Sequence, residues 1–210
     1  AGKIAIIAKP CDARAIVMYM VEKQIDRDSI YIIGVECAGM KDKDSNAAPG
    51  CGECAVRVPP VYDVLVEHGE LPSFSKAKEK GKNKEKDKFA RFQKEIDKCI
   101  LCFSCRQACY GCYCSTCFID RGMPDWSPSD PDSGRKMMFH LGRAMHLAGR
   151  CVGCGACEKV CPSGVKIRYL VQELECFCEE LYGTKPGMNP DEAPAMTVFD
   201  QSDKEIGFLD

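Results

Sequence analysis

Two segments near the start of the chain are apolar almost without a break, residues 4–8 (IAIIA) and residues 30–35 (IYIIGV). Neither alternates apolar with polar positions, so each reads as a strand buried on both faces, as in a parallel sheet. Between them, residues 13–24 (ARAIVMYMVEKQ) read as a helix, with Asp12 as the expected N-cap. Pro10 and Cys11 turn the chain between strand and helix. Strand, helix and strand together predict a parallel βαβ unit. Two strands are too few for such a sheet, so the sequence predicts a partial domain, its missing strands lying before residue 1 or in a partner. Further along, residues 89–97 (FARFQKEID) predict a short helix, and residues 135–147 (RKMMFHLGRAMHL) a longer one ending at Gly149. Residues 165–182 give the clearest amphipathic pattern. Ile167, Leu170, Val171, Leu174, Cys178 and Leu181 form one stripe, and Gly183 stands where a C-terminal cap is expected.

The stretches between these elements are polar and biased. Residues 37–75 carry a proline-rich segment (VPPVYDVLVEHG), and lysine occupies every even position from 76 to 88. The lysine run reads as a solvated linker, with a docking patch for an acidic partner as the alternative. The last twenty residues hold six acids and one lysine and read as an extended arm. The expected division is a partial α/β domain over 1–75, a linker over 76–94, a two-cluster ferredoxin-like domain with a long insertion over 95–183, and an acidic arm over 184–210. The fold class is α/β, or α+β over the whole chain.

The net charge is −2 and the pI about 6.0, which gives no general reason to expect nucleic acid as a partner. No stretch approaches eighteen consecutive apolar residues, so no transmembrane segment is expected. Residues 4–8 are too few for a signal peptide. The expected location is the reducing cytoplasm of an anaerobe.

Seventeen cysteines change the picture. Cys151-x2-Cys154-x2-Cys157-x3-Cys161-Pro162 is the bacterial ferredoxin spacing for a [4Fe–4S] cluster. Cys99-x2-Cys102-x2-Cys105-x3-Cys109 repeats it, with Tyr110 where ferredoxins place proline. Three thiolates at steps of three wrap one corner of a cubane, and the fourth must come from elsewhere. In two-cluster ferredoxins the cysteine before proline serves the other cluster. Carried over, one cluster takes Cys99, Cys102, Cys105 and Cys161, and the other takes Cys151, Cys154, Cys157 and Cys109. An odd count in close-set pairs argues against a disulfide scaffold. Zinc also uses C-x2-C pairs but rarely a fourth cysteine before proline.

Cys37, Cys51 and Cys54 suggest a third site, completed by one of Cys112, Cys114 and Cys117. Cys178 reads as a small core residue, and the roles of Cys11 and Cys176 are open. His68, His140 and His146 do not space as a zinc motif and read as surface residues or as neighbours of a site. Asp12 and Arg14 follow the first strand, where parallel sheets bind ligands, and are candidates for cofactor binding. No G-x-G-x-x-G is present, which argues against a nicotinamide fold. Tyr113 and Trp126 suit either an electron path or ordinary burial.

The segments AIIAKPCDARAI, YIIGVECAGM, CGECAVRVPP and CILCFSCRQACYGCYCSTCF resemble the iron–sulfur subunits related to the beta subunits of coenzyme F420-reducing hydrogenase and formate dehydrogenase. The resemblance covers about residues 3–65 and 95–182. It implies an electron-transfer subunit with [4Fe–4S] clusters, at least two and by expectation three. The implied partners are a large molybdenum, tungsten or nickel–iron subunit, or a heterodisulfide reductase-like or flavin-containing one. The alternative it implies is a subunit that itself binds FAD or FMN and reduces coenzyme F420 or NAD.

Overall fold

The computed structural model describes residues 2–69, 87–120 and 132–197. Three parallel strands, β1 (Ile4–Ala8), β2 (Ile30–Val35) and β3 (Val64–Val66), lie in the order β1-β2-β3. The helix α1 (Pro10–Val21) makes the crossover from β1 to β2. It lays Ala13, Ile16, Val17 and Met20 against Ala8, Ile30 and Ile32 to form one core. The helix starts earlier than the sequence pattern suggests. Pro10 has no amide hydrogen to lose and its fixed φ suits the first helical position, so Lys9 is the N-cap and Asp12 lies inside the first turn. There the Asp12 carboxylate accepts from the Lys9 backbone N–H at 3.2 Å and pairs with the same residue's ammonium group.

β3 was not legible as a strand. It is three residues long, and it is held to β2 partly through a side chain. The carboxylate of Asp63 accepts from the Ile32 N–H at 2.6 Å and pairs with Arg27 at 2.6 Å. The register sets Ile7 beside Ile33 and Ile33 beside Val64, on the face away from α1. That face stays open among the described residues: Ile7 is 72% exposed, and Val64 and Val66 are exposed beside it.

The cysteine-rich half is built on α2 (Lys88–Asp97), α3 (Ser104–Gln107), α4 (Ser133–Leu147), α5 (Ala156–Lys159) and α6 (Arg168–Tyr182). Asp87 caps α2 and Asp132 caps α4, each accepting one backbone N–H at 2.8 Å. α6 ends, as expected, on Gly183 with φ at 67°. Of the expected stripe, Ile167, Val171 and Cys178 are buried, but Leu181 is exposed because the last turn runs past the core. Phe92 and Ile96 of α2 meet Val165 and Ile167, while Ala144 and Leu147 of α4 meet Val171.

The halves are clasped together. The Tyr19 hydroxyl donates to the Tyr110 carbonyl at 2.7 Å, and Arg150 forks onto Glu22, one arm at 2.7 Å. Tyr113 donates to the same carboxylate at 2.5 Å. Tyr110, which stands where ferredoxins carry proline, therefore faces α1 and joins the seam. The lysine run up to residue 86, Trp126 and the arm beyond residue 197 lie outside the described residues.

Candidate iron–sulfur centre

The two cysteine runs have one backbone conformation. The second residue after the first cysteine is left-handed in both, Leu101 (φ 54°) and Gly153 (φ 68°). So is the fourth, Phe103 (φ 59°) and Gly155 (φ 73°). The N–H of Leu101 donates to Cys99 Sγ at 3.3 Å and that of Gly153 to Cys151 Sγ at 3.4 Å. Ser104 N–H serves Cys102 as Ala156 N–H serves Cys154. Each loop then enters a four-residue helix, α3 or α5, whose amides return to the same relative carbonyls. Such a turn aims backbone N–H groups at sulfur and presents three thiols to one side, which is the electrostatic cradle a cubane needs. Leucine and phenylalanine adopt left-handed backbone only at a cost of about 1–2 kcal/mol each, so the first run holds this shape against local preference.

Cys161 lies beside the first run. Cys99 and Cys161 pack against one core of Ile96, Val165 and Ile167. Cys99, Cys102, Cys105, Cys157 and Cys161 line one cavity. His140 of α4 also lines it. His140 is 3% exposed, and neither ring nitrogen has a hydrogen-bond partner among the described residues. Burial, and then the charge of Arg143, push its pKa down to about 4, which leaves the ring neutral. Thiols around a buried donor without an acceptor fit a sulfide-rich group.

Cys109 leaves its own run and joins the other. It interacts electrostatically with Cys154 and Cys157, and it shares with Cys151 the core of Leu147 and Val171. The Cys112 thiol donates to Cys109, and with the Arg143 charge this holds Cys109 below the ordinary thiol range against the pull of burial. Burial pushes Cys157 up to about 11 and Cys151 up as well, so thiolates there need a cation close by. Arg143 is 4% exposed, donates to the Cys105 carbonyl at 3.2 Å and interacts with Cys105, Cys109 and Cys157, so one buried positive charge faces both sets of thiols.

Around Cys37 the structure brings Cys11 into electrostatic reach, while Cys112, Cys114 and Cys117 line a different cavity. Cys37 repeats the local motif of the two runs: Gly39 is left-handed (φ 101°) and donates its N–H to Cys37 Sγ at 3.4 Å. One loop carries Cys37, Cys51 and Cys54, and closes where Cys37 N–H meets the Arg57 carbonyl at 2.9 Å. Cys11, at the start of α1, interacts electrostatically with Cys37 and Cys154, and burial and the neighbouring Asp12 push it up to about 12. Cys112, Cys114 and Cys117 instead line a separate cavity of about 550 Å³, with Arg106, Arg143 and His146. The loop bearing Cys51 and Cys54 lies over the second run. A Cβ on Gly155 would stand 1.9 Å from the Pro49 carbonyl oxygen, so only glycine lets the two backbones meet. Its counterpart Phe103 is met instead by the Phe139 ring, at 5.1 Å. Among the described residues no three His, Cys, Asp or Glu side chains close around a single ion. A cubane, which spreads its thiolates over four irons, does not ask for that.

Asp12 and Arg14 are spent on structure. Asp12 holds Lys9, and the buried Arg14 donates to the Pro186 carbonyl at 2.9 and 2.6 Å and to the Val152 carbonyl at 2.9 Å. Sequence reasoning left Cys11 open, read His140 as a surface residue or a neighbour of a site, and missed Arg143. Cys11 carried a signal in its place just beyond the first strand, whereas His140 and Arg143 reveal themselves only through burial.

Residues 147–166 match the 4Fe-4S binding domain family, a stretch that holds Cys151, Cys154, Cys157 and Cys161. The match covers that 20-residue stretch of the 210-residue chain. Over 93% of its length it is similar to the F420-dependent formate dehydrogenase subunit beta of Methanocaldococcus jannaschii, at 20% identity and across 76% of that relative. The F420-dependent formate dehydrogenase 1 subunit beta of Methanococcus maripaludis matches at 22% identity with the same coverage.

Proposed function

We propose that this chain is an electron-transfer subunit of a formate dehydrogenase-type complex, carrying three [4Fe–4S] clusters. The observation that supports the reading most is the twin backbone of the two cysteine loops, with Cys109 and Cys161 exchanged between them. Bound cubanes would each take up and release one electron. The residues of the chain supply spacing, insulation and charge. Cys99, Cys102, Cys105 and Cys161 hold the first cluster, and Cys151, Cys154, Cys157 and Cys109 the second. Cys11, Cys37, Cys51 and Cys54 hold the third. The second lies between the others, since Arg143 joins it to the first set and the Pro49–Gly50 backbone joins it to the third. Electrons thus run along a line, with a catalytic subunit at one end and an acceptor at the other. The described residues include no helix long and apolar enough to cross a membrane, and the proposed place of work is the cytoplasm.

A second reading is a subunit that itself binds a flavin and reduces a soluble carrier such as coenzyme F420 or NAD. It is favoured by the F420 dependence in the names of both relatives. Two measurements on anaerobically purified protein separate these readings. Three clusters give about 12 iron and about 12 acid-labile sulfide per chain, four of each per cubane. About 8 of each removes the third site, and iron without sulfide removes the cubanes. Extractable isoalloxazine absorbance selects the flavin reading.

A further inference from the structure

We propose that His140 is a potential-setting residue whose N–H donates to sulfur of the first cluster. The inference rests on the cluster assignment above and adds a role that ligand spacing does not reveal. His140 is buried on α4 and lines the cavity of Cys99, Cys102, Cys105 and Cys161. Both its nitrogens lack partners among the described residues. A buried imidazole without hydrogen bonds is costly unless a partner belongs to the site itself. The surrounding wall offers thiols, the Ser163 hydroxyl, the rings of Phe103 and Phe139, and aliphatic side chains; neither ring nitrogen bonds to Ser163, so the cysteine sulfurs are the acceptors the cavity leaves. A neutral imidazole has one N–H to give.

A hydrogen bond to cluster sulfur favours the more negative, reduced state and so raises the midpoint potential. Arg143, one turn further along the same helix, faces thiols of both clusters. His140 lines the cavity of the first set. His140 therefore raises the midpoint potential of the first cluster above what its thiolates alone would set.

The chain has three histidines, which makes the test direct. Full-length protein labelled with [15N]histidine is reduced and examined by electron spin-echo envelope modulation. The expected result is a weak 15N coupling to one reduced cluster, kept in His146→Ala and His68→Ala and lost in His140→Leu. In redox titrations followed by paramagnetic resonance, His140→Leu lowers the midpoint of that cluster alone, and His140→Gln, which keeps an N–H, lowers it less. No 15N coupling in the reduced wild type would overturn the proposal, and so would an unchanged midpoint in His140→Leu at full iron content. A strong, directly bonded coupling would make His140 a ligand and also overturn it. If His140→Leu loses iron, the wild-type coupling decides. Wild-type protein with full iron and sulfide but no coupling leaves the cluster reading intact, whereas protein without reducible clusters removes both.

Discussion

Gly153 and Gly155 stand two residues apart with the same left-handed backbone, yet they answer to different constraints. A side chain at 153 meets nothing within 4 Å, and its counterpart in the first run is Leu101. A side chain at 155 collides with the Pro49 backbone. Gly153→Ala is expected to cost about 1–2 kcal/mol from backbone strain and to retain its iron. Gly155→Ala is expected to lift the 47–54 loop and to lose iron from the second and third sites. Iron analysis of the two variants checks this, and equal iron content in both would contradict the close packing. The two cysteine runs were legible because their spacing is a local code. The crossed assignment of Cys109 and Cys161 is a pattern carried over from ferredoxins and is part of the proposal. Cys11 was not assigned, because its nearness to Cys37 arises only when two parallel strands bring their ends together.

At the scale of elements, the four long helices were legible from their apolar intervals, though the N-cap of α1 was misplaced, while the short helices α3 and α5, β3 and the seam were not. A three-residue strand has no periodicity to read, and a seam between distant segments leaves no local trace. Tyr110 is the clearest case: as a break in the ferredoxin spacing it looked like a departure, and in the fold it meets Tyr19 of α1. The Glu22–Arg150 pair holds that seam. Burial pulls the Glu22 carboxyl up, but Arg150 and Tyr113 together outweigh it, so the group titrates below its ordinary value of 4.5. Its folded pKa is depressed, so its contribution is fully present above that value and fades as pH falls through the lower, folded one. Arg150→Met leaves a mostly buried carboxylate without its cation and is expected to cost about 2 kcal/mol at neutral pH. Hydrogen exchange in α1 should quicken in this variant. In the parent protein the α1 protection factors, corrected for the intrinsic exchange rate at each pH, should fall on acidification, whereas Glu22→Gln should lose that acid-dependent part. Unchanged α1 protection in Arg150→Met would mean that the seam is held elsewhere.

The molecule as a whole pairs a cysteine-rich half with a small sheet that, among the described residues, is covered on one face only. Ile7, Tyr31, Val64 and Val66 share the open face, which parallel sheets rarely leave to water. The apolar strands announced this, since both read as buried on two sides. The isolated chain is therefore expected to self-associate, and Ile7→Lys with Val64→Lys to reduce that association while iron content is kept. Sedimentation velocity measures it, and identical behaviour of parent and variant would show that this face does not drive association.

The central claim is that two cubanes exchange their fourth ligands across the pair of loops. The most direct measurement is paramagnetic resonance of the reduced protein with Cys161→Ala, Cys105→Ala and Cys154→Ala compared side by side. Crossed ligation predicts that Cys161→Ala and Cys105→Ala disturb the same signal, by loss or by conversion to a three-iron cluster, and leave the signal altered by Cys154→Ala intact. If Cys161→Ala instead disturbs the signal that Cys154→Ala disturbs, each run keeps its own fourth ligand and the account is wrong.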